Sequence, residues 1–374
     1  MTLLEQVYQK FNEPVKRLTV GPVPSHPGML EILGKQFFST RDSFFVNVMK
    51  EIQPFLQESV GTVLNSVIFE HGSGSSGLCA VANHLLKPGD TVLCLNTGKF
   101  GERWVKIAKK RNCNIIEHIT PWEKSINWKE IAEILLNKKP IAILMQHSET
   151  STGAVHSLKD ASLVIRENFP DTLLIVDAIS SWGSLEIDMD LNQIDAVVGC
   201  SQKGFMLPTG LHLMSFSQRA LQIIGQNDKN GMITDFSHSP LSDINEQLEG
   251  RPRFSMDSNA LMALVYLKEA IIEKCGGWQQ WFNDVHKRAG IIRNELLKIN
   301  IKELSEAAGD VVIALPLQPH QEVKAIRKQL QDLGFEVNKS QDEARFRGIR
   351  IGNMGYITQQ DVELLIKALN RVFQ

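Results

Sequence analysis

From about Val63 to Phe216 the chain alternates between short unbroken apolar runs and longer stretches whose apolar residues recur every three or four positions. "SVIF" leads into "SGLCAVANHLL", and "DTVLCLN" into "FGERWVKIAKKRN". "NIIEHI", "IAILMQH", "LLIVDAI", "DAVVGCS" and "LHLMSFS" follow, with "WKEIAEILLNKK" and "LKDASLVIREN" between the earlier ones. Apolar runs of this length, without the alternation of a half-exposed strand, indicate strands covered on both faces. Joined by helices they predict βαβ units, hence an α/β fold with a mostly parallel seven-stranded sheet between helices.

Past Phe216 the pattern changes. "QNDKNGMITDFSHSPLSDINEQLEGRPRF" is polar and contains Gly and Pro, and it reads as an irregular connection. Helical periodicity returns in "DSNALMALVYLKEAIIEKCGGW" and "WFNDVHKRAGIIRNELLKI". The closing stretch, "GDVVIALPL", "QEVKAIRKQLQDLGF", "RGIRIGN" and "QQDVELLIKALNRVF", predicts strand, helix, strand, helix, with Thr358 capping the last. The expected organisation is an N-terminal arm over 1–20, a large domain over 21–265 and a small C-terminal α+β domain over 266–374.

Composition narrows the partners. Of 374 residues, 40 are Lys or Arg and 42 Asp or Glu, so no net field draws the chain to nucleic acid or an anionic membrane. Small molecules are the expected partners. The first residues, "MTLLEQVYQKFNEPVKR", lack the apolar centre of a secretory signal, and no run reaches the ~18 apolar residues of a membrane helix. Cys79, Cys94, Cys113, Cys200 and Cys275 form no CxxC pair and read as reduced, small apolar residues of a cytoplasmic protein. With no two cysteines closer than Cys79 and Cys94, no thiolate metal centre is expected.

In parallel sheets ligands bind beyond the carboxyl ends of the strands, so candidate chemistry is sought there. "GSGSSG", Gly72 to Gly77, follows the first run and opens a helix. Small residues and free N–H groups suit a phosphate there, although a turn with a helix cap would read the same. Asp177 ends "LLIVD" and either caps a helix or keeps a pyridine nitrogen protonated. "HSETSTG" ends the preceding run with several hydroxyl groups. Lys203, in "GCSQKGF", either snorkels to water or, partly desolvated, offers a neutral amine to an aldehyde. Phe100, after "NTGK", adds an aromatic face. Phosphate, ring nitrogen, aldehyde and ring face are together the four handles of pyridoxal 5′-phosphate.

These residues resemble those of class V pyridoxal-phosphate-dependent aminotransferases of fold type I, in particular the alanine–glyoxylate and serine–pyruvate group. "LTVGPVPSHPGML", "STRDSFF", "GSGSSG", "NTGKFGERW", "HSETSTG", "VDAISSWG", "SQKGF" and "RIGN" follow in the family's order over nearly the whole chain. The resemblance implies that Lys203 is the Schiff-base lysine and the base for the 1,3-proton transfer, and that Asp177 pairs with the pyridine nitrogen. It places Phe100 and Ile179 on the two ring faces, and Ser73, Gly74, Ser75 and Gln202 around the phosphate. Thr150 falls near the phenolic oxygen, and Gly21 lies in the Gly-Pro-x-Pro segment on the substrate side. Arg350 matches the arginine whose planar fork holds the substrate carboxylate.

Two segments depart from the pattern. Where relatives carry Tyr-x-x-Thr, which reaches the phosphate of the neighbouring subunit, "FSMDSNALM" leaves Ser258 as the replacement and no tyrosine. A His-Arg pair is Thr40-Arg41, and "SPLSDINEQLEGRPRF" has no counterpart. The implied activity is amino transfer from a small amino acid, alanine- or serine-like, to a 2-oxo acid such as glyoxylate or pyruvate, by ping-pong half-reactions in a homodimer. A lyase or a specialised biosynthetic transaminase of the same fold is the first alternative. A hydrogenase-associated subunit without enzymatic activity is the second.

Overall fold

The computed structural model describes residues 1–233 and 235–373. Its centre is a seven-stranded sheet made by β1 (Val67–Gly72), β2 (Thr91–Asn96), β3 (Asn114–Ile119), β4 (Ala142–Gln146), β5 (Leu173–Asp177), β6 (Ala196–Cys200) and β7 (Gly210–Phe216). All seven coincide with the apolar runs. The spatial order is β1-β7-β6-β5-β4-β2-β3, with β7 antiparallel to both neighbours and every other pair parallel.

The strands read as unbroken apolar runs because two hydrophobic layers share them. Leu93, Leu95, Ile143, Met145, Leu174, Val176 and Val197 point into one cluster, covered by the helices Trp128–Lys138 and Ser258–Tyr266 among others. The alternate residues Val92, Cys94, Ala142, Leu144, Ile175, Ala196 and Val198 point into a second, under Gly74–Leu85, Lys99–Lys110 and Gln218–Lys229. The inner strands therefore keep the period of two with both faces dry, whereas the edge strand β3 is partly exposed.

A three-stranded antiparallel sheet follows, from β8 (Val312–Pro316), β9 (Asn338–Lys339) and β10 (Gly348–Gly352), with β10 in the middle. Ile313, Leu315, Ile349 and Ile351 pack there against the helices Val323–Asp332 and Gln359–Phe373. The last helix starts at a reciprocal cap, the Thr358 hydroxyl accepting from the Asp361 N–H while Asp361 accepts from Thr358. Leu18, from the N-terminal segment, joins this cluster. The helix Trp278–Lys298 spans both cores, with Trp278 and Phe282 in the first and Ile292 and Leu296 in the third.

The expected irregular connection is only partly irregular. Gln218–Lys229 runs into it, and Pro240–Leu248 forms a helix inside it. Pro240 stands at the helix start, where its missing N–H costs nothing, and Leu241 and Ile244 pack against the second cluster. The side-chain amide of Gln247 bonds the backbone of Phe69 in β1, a tertiary contact that composition does not show. All five cysteines are free; Cys94 and Cys200 are buried as expected of small apolar residues, whereas Cys79 is exposed.

Candidate active site

A cavity of about 290 Å³ lies at the carboxyl edge of the sheet, between it and the three-stranded sheet. Asp177 is the last residue of β5, and Lys203 follows the end of β6 by three positions. On the β1 side the cavity is bounded by the first residues of Gly74–Leu85, for which Ser73 is the cap. The first N–H groups of a helix have no partner within it, which leaves this end open to an anion. A side chain at Gly74 would meet Ile179 Cδ1 at 2.5 Å, so only glycine lets the loop lie against that residue.

Ten of the twelve expected residues line the cavity: Gly21, Ser73, Gly74, Ser75, Phe100, Thr150, Ile179, Gln202, Lys203 and Arg350. Asp177 lies beneath it, buried, its Oδ1 accepting the Ile179 N–H at 2.9 Å. Burial pushes the Asp177 carboxyl up to about 7, against the pull of that N–H and of the Arg103 and Lys203 cations. Burial also brings the Lys203 amine down to about 8, with the Arg350 charge acting in the same direction. The amine donates to the Val20 carbonyl oxygen. Val20 is held in turn by its N–H, which donates to Asn338 Oδ1 at 2.6 Å.

Ser258 is the residue not brought to the cavity. It is buried in the first turn of its helix, where its hydroxyl accepts the Phe38 N–H at 3.2 Å and donates to Asn259 Oδ1 at 3.3 Å. Arg350 reaches the cavity from β10. Its Nη1 donates to the Thr150 carbonyl oxygen at 2.9 Å, and its Nε and Nη2 to that of Lys339 at 3.1 and 3.0 Å. Three of its five N–H groups are thereby used and two are left.

Two further residues take part. Arg103 Nη1 donates to Ser75 Oγ at 2.9 Å, and its guanidinium lies 4.6 Å from the Phe100 ring centroid. The signal was present in "KFGERW": three positions on a helix put Phe100 and Arg103 on one face. Glu149, fully buried, accepts the N–H groups of Phe100 and Gly101 at 2.9 and 3.0 Å and both the N–H and hydroxyl of Ser151. It fixes the start of the helix that carries Phe100 and Arg103. No sequence pattern announced it.

Comparison with known proteins agrees with this geometry. The family model for class-V aminotransferases matches residues 39–252, more than half of the chain. The chain belongs to the class-V aminotransferases. It is 25% identical over 366 residues to an alanine–glyoxylate aminotransferase of Oryctolagus cuniculus, spanning 96% of this chain and 93% of the relative. It is 26% identical over 359 residues to a protein of Anabaena cylindrica named soluble hydrogenase 42 kDa subunit, spanning 94% and 91%. An aspartate aminotransferase of Thermus thermophilus shares the fold at a TM-score of 0.86 and 22% identity, over 96% of this chain and 98% of that one. As a class-V aminotransferase of fold type I, this protein is an enzyme of a family that depends on pyridoxal phosphate.

The residues present fit that group. Gln202 lines the cavity with its buried Oε1 lacking a hydrogen-bond partner, and a glycine cradle, a helix N-terminus, two guanidinium groups and an amine face the same space, with the Asp177 carboxylate beneath it. The class-V aminotransferase has, among its described residues, no helix long and apolar enough to cross a membrane.

Proposed function

We propose that this enzyme binds pyridoxal 5′-phosphate in the cavity and transfers an amino group from a small amino acid, alanine- or serine-like, to a 2-oxo acid such as glyoxylate or pyruvate. The observation that carries the reading is the convergence of the Lys203 amine, the Asp177 carboxylate, the N-terminus of Gly74–Leu85 and the Arg350 fork on one space. When bound, the cofactor supplies an electron sink for the carbanion left by loss of the Cα proton.

The chain's residues do the rest. Ser73, Ser75, the adjoining N–H groups and Gln202 hold the phosphate, and Arg103 adds a charge on Ser75. Phe100 and Ile179 pack on the ring faces. Asp177 pairs with a ring N–H, which adds a hydrogen-bond donor to the Ile179 N–H that its buried carboxylate already accepts. Lys203 would hold the cofactor and, as a free amine, take the proton from the donor's Cα and deliver it to the cofactor's carbon; an amine near 8 is partly neutral at physiological pH. The two free N–H groups of Arg350 take the substrate carboxylate. At about 290 Å³ the cavity sits at the low end of small-molecule sites, which favours a short side chain.

The relative named for alanine and glyoxylate, matched over nearly its full length, supports the substrate choice. The reading includes an arm over 1–20, a large domain over 21–265 and a small one over 266–374, assembled as a homodimer in the cytoplasm. The test is a half-reaction screen. Holoenzyme is mixed with each amino acid in turn while the visible cofactor band is followed and products are identified. Loss of the band with pyridoxamine phosphate and the matching 2-oxo acid as products supports the reading. Ammonia or carbon fragments would instead mark a lyase.

A further inference from the structure

Away from the cavity, on the outer edge of the sheet, a second group of polar side chains meets. Glu70 and His212 face each other directly across the antiparallel pair β1 and β7. His238 arrives from the polar connection that follows β7. Glu70 Oε2 lies 3.2 Å from His212 Nε2 and 3.7 Å from His238 Nε2. The three ligand-type atoms all fall within 4.8 Å of one another.

The outer nitrogens of both rings are already engaged. His238 Nδ1 lies 2.8 Å from Asp235 Oδ2, an oxygen that can only accept when ionised. His212 Nδ1 lies 3.4 Å from Ser76 Oγ, whose own proton goes to the Ser73 carbonyl oxygen at 2.6 Å. Each Nδ1 therefore carries the proton, and each Nε2 turns a lone pair toward the same Glu70 carboxylate. Three electron-rich atoms are thus aimed at one point. A proton on Glu70 can satisfy only one of the two nitrogens. The Glu70 side chain is only 4% exposed, and the carboxyl of Asp243 hydrogen-bonds it from the other side.

We propose that Glu70, His212 and His238 bind a divalent transition metal, zinc by the chemistry of the donors. Two imidazoles and a carboxylate are a recurrent zinc set, with bonds of about 2.0–2.2 Å that put neighbouring ligand atoms roughly 3.3 Å apart in a tetrahedron. The observed 3.2 and 3.7 Å bracket that spacing. Asp235 behind His238 is the usual carboxylate that fixes a ligating ring. A water would complete the four-coordinate site. The metal would pin the segment around His238 to the sheet immediately behind Ser73 and Ser76. The sequence reading sought metals among cysteines, and these ligands lie far apart along the chain.

The experiment uses full-length holoenzyme, stripped with a chelator and dialysed, then titrated with zinc and with cobalt, with bound metal measured by mass spectrometry. One zinc per chain, a cobalt spectrum of tetrahedral intensity and a melting temperature raised by zinc are expected. His238→Asn and Glu70→Gln should weaken binding at least 10-fold, and Asp235→Asn by about 10- to 100-fold. Circular dichroism establishes that each variant is folded; should Glu70→Gln not fold, His238→Asn, nearer the surface, decides. A folded wild-type protein that takes up neither metal overturns the proposal. So does uptake that the folded variants leave unchanged.

Discussion

Gly21 offers a quantitative test of how the site holds its amine. Its φ is +127°, and a Cβ added there would sit 2.4 Å from Lys203 Cε and 2.5 Å from Nζ. Ordinary contact begins at 3.4 Å, so in Gly21→Ala the end of Lys203 must move by about 1 Å. A displacement of that size at a reacting group costs about 100-fold in rate, or about 2.7 kcal/mol of barrier. The positive φ adds backbone strain of about 1–3 kcal/mol, which lowers the melting temperature. Gly89→Ala separates the two effects, because Gly89 has a φ of +88° and nothing within 4 Å of the added Cβ. The assay is steady-state kcat/KM for the amino donor found in the screen, with thermal melts of both variants. Gly21→Ala should lose activity and stability, and Gly89→Ala stability alone. Activity of Gly21→Ala within about 3-fold of wild type would refute the contact with Lys203 as a determinant of rate.

Other expectations concern single groups. Arg350→Lys retains charge but loses the fork, and should raise the amino acid KM by about 10- to 100-fold, the worth of one hydrogen bond to a charged group; an unchanged KM would assign the carboxylate elsewhere. Asp177→Asn should lower turnover by at least about 100-fold while the protein stays folded, as single-turnover absorbance would show. Because burial lowers Lys203 to about 8, the unfolded chain binds the extra proton between there and the ordinary lysine value. Stability of the cofactor-free enzyme should therefore rise with pH above about 8 relative to Lys203→Met, and parallel melting curves across that range would contradict this. Glu149→Ala leaves the buried N–H groups of Phe100, Gly101 and Ser151 unpaired, and should cost about 1–3 kcal/mol per group in denaturant unfolding.

Much of this architecture was legible because its inner strands are dry on both faces. A run such as "LLIVD" has no polar alternation to confuse it, and the acid that ends it stands at the ligand edge by topology alone. Lys203 was legible for the same reason, since it follows β6 at the ligand edge of the sheet. Helix Pro240–Leu248 was hidden because its apolar stripe is short, Leu241, Ile244 and Leu248 in an otherwise polar stretch, and it is helped by the Gln247 bonds to β1. Ser258 was placed by motif position toward the phosphate of a neighbouring subunit, and within its own chain its hydroxyl meets Phe38 and Asn259. Glu70, His212 and His238 meet only through strand register and a long connection, neither of which a linear pattern encodes.

The central claim is that one amine, at position 203, carries the cofactor. Holoenzyme reduced with borohydride, digested and mapped by mass spectrometry tests it most directly. A single pyridoxyl-phosphate modification on Lys203, absent from Lys203→Met, is the predicted result. Label on another lysine, or none on a protein incubated with pyridoxal phosphate, would contradict the account.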